Sequence, residues 1–158
     1  MEIGIISDTH NQLPEKIGQI FKGVDLILHA GDIGYSHILE SLSKIASVEG
    51  VYGNTDLYTV SSILPSRLTL NLEGMSVFMK HDIGNIKIYH AKLRSIHREL
   101  IPDMIVFGHT HKPLFEKIQH TYYINPGSAS KPRGGSPCSV MRLNISAGMI
   151  TDHQLIPL

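Results

Sequence analysis

Five times in this chain a short apolar run rich in Ile and Val gives way at once to a compact polar cluster. Ile3-Gly4-Ile5-Ile6 leads to Asp8-Thr9-His10, and Leu26-Ile27-Leu28 leads to Gly31-Asp32. Val48-Glu49-Gly50-Val51-Tyr52 leads to Gly53-Asn54-Thr55-Asp56, and Val77-Phe78-Met79 to His81-Asp82. Met104-Ile105-Val106-Phe107 leads to Gly108-His109-Thr110-His111. Apolar runs this short read as buried strands. In an open α/β sheet the carboxyl ends of parallel strands converge on one crevice, so the five clusters are expected to meet in a single site. Gly31 and Gly108 each stand just before a polar residue, where a sharp turn lets its side chain swing into a cleft. In extended chain i and i+2 share a side, which suits Asp8 with His10 and His109 with His111.

Helical spacing of apolar residues predicts helices over 13–21, 38–45 and 91–101, the last carrying Leu93, Ile96, Leu100 and Ile101. Strands alternating with helices argue for parallel α/β structure. Residues 67–72, the turn Glu73-Gly74 and residues 75–79 alternate instead like an antiparallel hairpin. From Leu114 onward only strand-like runs remain, at 114–118, 121–124, 139–145 and 149–156, separated by turn residues. The expected architecture is α/β: two facing mixed β-sheets flanked by helices, a four-layer α/β/β/α sandwich, in one domain over 1–158.

A chain of 158 residues can bury a proper core without disulfide or metal staples. Lys plus Arg, at 14, equals Asp plus Glu, so no overall field favours nucleic acid or an anionic membrane. No apolar stretch is long enough to span a bilayer, and no basic segment precedes the first apolar run as a signal peptide requires. The lone Cys138 excludes an intramolecular disulfide and reads as an inert thiol where a strand enters the core. A cytoplasmic location is expected.

Asp8, Asp32 and Asn54 with His10, His81, His109 and His111 exceed what one tetrahedral zinc needs, and no thiolate joins them. Two ions sharing a bridging carboxylate fit better. Mixed nitrogen and oxygen ligands suit Mn, Ni, Fe, Co or Zn, with manganese as the expected metal. Two such ions clamp an in-line displacement at phosphorus and activate a bridging water, which points to phosphoester hydrolysis.

The ordered motifs DxH, GD, GNxD, an isolated His and GHTH, from Asp8 to the loop Asn125-Pro126-Gly127-Ser128, resemble the calcineurin-like metallophosphoesterase family. The compact length is similar to that of its small microbial phosphodiesterases. The resemblance implies that Asp8, His10 and His111 hold the first metal, that Asn54, His81 and His109 hold the second, and that Asp32 bridges them. It also implies a metal-bridging hydroxide as nucleophile, with His10 and Asn54 stabilising transition-state charge, and copies that associate as a homo-oligomer. The substrate is expected to be a small phosphodiester. A phosphomonoesterase is the alternative among enzymes. A noncatalytic scaffold on the same fold, like a relative in membrane-trafficking coats, is the alternative outside them.

The chain departs from the family at two positions. Thr55 stands where many members have a His that protonates the leaving oxygen, and a hydroxyl is a poor acid near neutral pH. Asp82 replaces the usual Gly and is read either as a partner fixing the His81 tautomer or as a solvent-facing loop acid. Thr55 and Arg133 are the expected substrate contacts, the guanidinium fork matching phosphate oxygens. Asp56 reads as a support for the Asn54 loop or as ordinary turn chemistry. His37, His90, His97, His120 and His153 read as surface or structural residues rather than ligands, and His29 as a packed structural residue or a support for Asp32.

Overall fold

The computed structural model describes residues 1–96 and 101–158. In chain order the elements are β1 (Glu2–Ile6), α1 (Ile17–Ile20), β2 (Leu26–His29), α2 (His37–Ser43), β3 (Ser47–Gly50), α3 (Tyr58–Ser61) and β4 (Arg67–Leu72). There follow β5 (Met75–Lys80), α4 (Ile86–Ile96), β6 (Met104–Val106), β7 (Leu114–Ile118), β8 (Thr121–Asn125), β9 (Ser139–Ser146) and β10 (Met149–Pro157). They form two five-stranded sheets, ordered β10-β9-β1-β2-β3 and β4-β5-β6-β8-β7. β1, β2 and β3 run parallel in the first sheet, with β9 and β10 antiparallel at its far side. In the second sheet β5, β6 and β8 run parallel, and β4 and β7 pair antiparallel at the edges. Both sheets are mixed, as expected from the change of pattern along the chain.

Side-chain alternation assigns each strand face. Ile3 and Ile5 of β1 share a buried layer with Leu26 and Leu28 of β2 and with Val77, Met79, Met104, Val106 and Ile124 of the second sheet. Their neighbours Ile6 and Ile27 turn outward onto Ile17, Phe21, Ile38 and Leu42, so α1 and α2 cover the first sheet. On the second sheet Ile105 and Tyr123 turn outward and pack with Ile86, Tyr89 and Leu93 of α4. The four layers follow directly. At about 1.5–3 kcal/mol for each fully buried aliphatic side chain, burial outweighs the ~0.5–1.5 kcal/mol net of each ladder hydrogen bond. That explains how β6 persists with only three residues, all buried. Gly4 lets the Phe21 ring lie on the sheet, since a Cβ there would sit 2.9 Å from it.

Three helices differ from expectation. α1 is a single turn because Ile17 N–H donates to the Pro14 carbonyl, a tight i to i+3 start, and Gly23 at φ 85° ends the segment. α3 was not expected. It is one turn that buries Val60, and four residues are too few to show a period. α4 begins at Ile86, before the expected 91, because the Asn85 side-chain oxygen accepts the N–H groups of Lys87 and Ile88 as an N-cap does. His97 and Leu100 lie outside the described residues. Among the described residues no helix is long and apolar enough to cross a membrane.

Candidate metal centre

All five clusters arrive at one edge of the sandwich, where the carboxyl ends of β1, β2 and β3 from one sheet meet those of β5 and β6 from the other. The ligand atoms of Asp8, His10 and His111 lie within 4.8 Å of one another, and so do those of Asp8, Asp32 and His81. His109 Nδ1 is 3.0 Å from Asn54 Oδ1. The seven residues named from the motifs are thus together. Asp8, His10, Asp32, His109 and His111 all have positive φ, between 41° and 68°. The left-handed region costs a non-glycine residue about 1–2 kcal/mol, and such strain collects at functional sites.

The hydrogen bonds determine which atoms face inward. His81 Nδ1 donates to the Ala30 carbonyl at 2.8 Å, so the neutral ring presents a lone pair at Nε2, 3.4 Å from Asp32 Oδ2. His111 Nδ1 donates to the Lys131 carbonyl at 2.8 Å, which leaves its Nε2 lone pair 3.1 Å from Asp8 Oδ1. Asp8 Oδ1 and His81 Nε2 are buried without a hydrogen-bond partner. Asp8 Oδ2, in contrast, accepts from the Ser7 hydroxyl at 2.6 Å and the His109 N–H at 3.2 Å. Acceptors facing acceptors in a buried space call for a cation between them, either a proton or a metal ion. This donor set fits divalent metal.

Charge behaves accordingly. Burial pushes the Asp8 carboxyl above its ordinary value despite the Ser7 hydrogen bond. Burial acts the same way on Asp32, but the nearby His81 ring and the hydrogen bond from the Thr55 N–H outweigh it and hold that carboxyl well below the usual range. Burial pulls His81 down, yet its contact with Asp32 raises it on balance, whereas burial leaves His10 lowered.

The supports come from residues beside the candidate ligands, some of them within the same motifs. Gly31 N–H donates to His29 Nδ1 at 3.2 Å, so His29 is a neutral Nε2–H ring that donates to the Thr9 hydroxyl at 3.0 Å. Thr9 in turn donates to the Ile33 carbonyl at 3.0 Å, and burial holds the His29 ring down at about 3. His29 is thus structural, tying the loop after β1 to the loop after β2. Ser128 and Ser130 both donate to the Asp8 carbonyl at 2.9 Å. Asn125 holds the Gly108 carbonyl at 2.8 Å. Asp56 accepts from Gly34 N–H at 2.7 Å and Gly53 N–H at 2.8 Å, joining the loops after β2 and β3. Gly53 itself is required, because a Cβ there would collide with the backbone N and carboxylate of Asp32.

Asp82 is not the partner of His81, whose Nδ1 is taken by Ala30. Exposed, it accepts the Gly84 N–H at 2.8 Å and lies 3.8 Å from His109 Nε2, beyond hydrogen-bond reach, while His109 Nδ1 bonds Asn54 Oδ1 at 3.0 Å. Thr55 donates its N–H to Asp32 at 2.9 Å, and its hydroxyl is 3.5 Å from His10 Nδ1. Arg133 donates to the His109 carbonyl at 3.4 Å, while Lys131 lines the hollow beside His10. His37 and His153 stack on Tyr35 and Phe115, and buried His90 bonds the Tyr123 hydroxyl at 3.0 Å. All three are remote from the ligand clusters.

Residues 1–148 match the calcineurin-like phosphoesterase superfamily domain. The chain is 38% identical to a probable metallophosphoesterase of Methanothermobacter thermautotrophicus over 99% of its length and 92% of that protein. It is 28% identical to the phosphodiesterase YfcE of Escherichia coli, covering 99% of this chain and 96% of the relative. Among solved structures, the wild-type Vps29 of Entamoeba histolytica complexed with Zn²⁺ shares the fold, with TM-score 0.80, 18% identity, and coverage of 100% of this chain and 98% of that one.

Proposed function

The chain belongs to the calcineurin-like phosphoesterase superfamily, and from that premise we propose that it is a phosphodiesterase working with two divalent metal ions, manganese first among them. Asp8, His10 and His111 would hold one ion and Asn54, His81 and His109 the other, with Asp32 shared. When bound, two such ions supply a water of lowered pKa and neutralise charge on the phosphoryl oxygens. The observation that carries this reading is the set of inward-facing lone pairs, with Asp8 Oδ1 and His81 Nε2 buried and unpartnered.

The chain's own residues position the reacting ester. His10 and Asn54 stand at the two sides of the centre, each lining a hollow, where their N–H groups stabilise charge as it develops. Thr55 lends no proton near neutral pH, so general-acid help typically worth about 10²- to 10⁴-fold is absent. Substrates whose leaving groups depart without it are favoured, and activated aryl diesters should outpace alkyl monoesters. We place the protein in the cytoplasm, in keeping with the unpaired thiol of Cys138. Its ligand is a small phosphoester rather than nucleic acid, in keeping with its balanced charge.

The test is hydrolysis of an aryl phosphodiester beside an aryl and an alkyl phosphomonoester, on protein stripped of metal and then given Mn, Ni, Zn or Mg. Metal-dependent diester turnover, lost in Asp32→Asn and His109→Ala, is expected. Tight metal uptake with no turnover of any ester would replace the enzyme with an interaction module.

A further inference from the structure

The candidate centre lies between two hollows. One, of about 290 Å³, begins at His10 and Thr55 and is walled by Tyr35 and Leu57, with Lys131 at its rim. The other, of about 250 Å³, begins at Asn54 and His81 and is lined by Tyr52, Ser66, Lys80 and Asp82. Each is smaller than the roughly 300–1,000 Å³ of a pocket for a whole drug-sized ligand, so each seats one substituent. In the second wall Lys80 and Asp82 carry charge beside the ring of Tyr52. The first presents Tyr35 at 46% exposure and Leu57 at 55%, and Tyr58 beside Leu57 is 83% exposed. Apolar side chains left bare together at the mouth of a polar centre mark a place where something else covers them.

We propose that the hollow of Tyr35 and Leu57 is a subsite for a planar aromatic substituent of the phosphodiester, the hollow of Lys80 and Asp82 taking the second ester arm. The subsite rests on the phosphodiesterase reading and narrows it to substrates with at least one aromatic arm, an aryl group or a nucleobase. Tyr35 is prepared for this role. Its backbone N–H is held by Asn11 Oδ1 at 3.0 Å, and its ring already stacks on His37, with centroids 6.2 Å apart and planes 29° from parallel. A ring held that way loses little freedom when a second ring packs on its open side. Lys131, at the rim, attracts the phosphate that the aromatic group carries.

Calorimetric titration of the Mn-loaded protein with four phosphonates, whose P–C arm cannot be hydrolysed, reads binding of that arm without leaving-group chemistry. These are the O-methyl monoesters of methyl-, cyclohexyl- and phenylphosphonic acid and of an adenine-bearing acyclic phosphonic acid, which keep two arms on phosphorus as a diester does. Stacking of one ring is expected to tighten the phenylphosphonate ester about tenfold over the methylphosphonate ester. Tyr35→Ala and Leu57→Ala should each shrink that ratio severalfold, and Tyr35→Phe should keep it. Adenine binding tighter than phenyl assigns the subsite to nucleobases, and the reverse order assigns it to simple aryl groups. Equal affinity for methyl and phenyl, equal affinity for cyclohexyl and phenyl, or a ratio that survives both alanine variants would overturn the subsite alone. Binding of none of the four would overturn the phosphodiesterase reading as well.

Discussion

His29→Gln should lose its destabilising effect as the solution is acidified. The ring is fully buried, accepts Gly31 N–H and donates to Thr9, and burial holds it down at about 3 against an ordinary value of 6.5. The unfolded chain binds a proton near pH 6.5 that the folded chain refuses until about pH 3. Stability from this group is therefore complete above the unfolded value and falls with pH below it, at about 1.4 kcal/mol per unit. Between pH 7.5 and pH 5 the wild type should lose about 2 kcal/mol through this group alone, a loss absent from a variant that does not titrate there. At pH 7.5 Gln strands the Gly31 N–H and costs about 1–3 kcal/mol. At pH 5 most of that cost should have vanished. Urea unfolding of both proteins, metal-free, across this range measures the difference, and a penalty independent of pH would refute a neutral buried His29.

The other predictions concern the same layer of supports. Asp8→Asn should stabilise the metal-free protein at pH 8 by about 1–2 kcal/mol, because burial disfavours the charge and the amide N–H can donate toward His111 Nε2. The same variant should lose the rise in melting temperature that Mn gives the wild type, and thermal unfolding with and without Mn reads both effects. Asp56→Ala removes the acceptor for two backbone N–H groups and should cost about 2–3 kcal/mol in urea unfolding, with weaker Mn uptake as the Gly53-Asn54 turn loosens. Tyr123→Phe leaves the His90 ring without its donor, and chemical denaturation should show a loss of about 1 kcal/mol with diester turnover unchanged.

The site was legible because its residues sit directly beyond the strands that carry them. Local adjacency is visible in a sequence, so Asp8, Asp32, Asn54, His81, His109 and His111 could be found from short motifs. Their supports are invisible for the opposite reason. Ser128 and Ser130 hold a carbonyl about 120 positions earlier, and nothing in a lone serine announces a partner that distant. In sequence Asp56 and Asp82 each read as bonded or solvated, and only the placement of the loops shows Asp56 joining Gly34 to Gly53 and Asp82 as an exposed loop acid on Gly84. Arg133 drew attention by its fork, but Lys131 has the position on the hollow. The sandwich was readable from period and run length. A single helical turn such as α3 is too short for either signal, and the N-cap at Asn85 carried no apolar period ahead of it.

Since Asp8, Asp32 and Asn54 hang from one sheet and His81, His109 and His111 from the other, the apolar layer between the sheets works as a caliper for the centre. Ile5, Leu28, Met79 and Val106 set its jaws. A methylene added or removed there touches no candidate ligand, yet it alters the gap between the two sets of them. Substitutions chosen only to tighten this core should therefore be followed by the spacing of bound Mn in electron paramagnetic resonance. A change in that spacing without any change at the ligands would reveal the layer as the instrument that sets it.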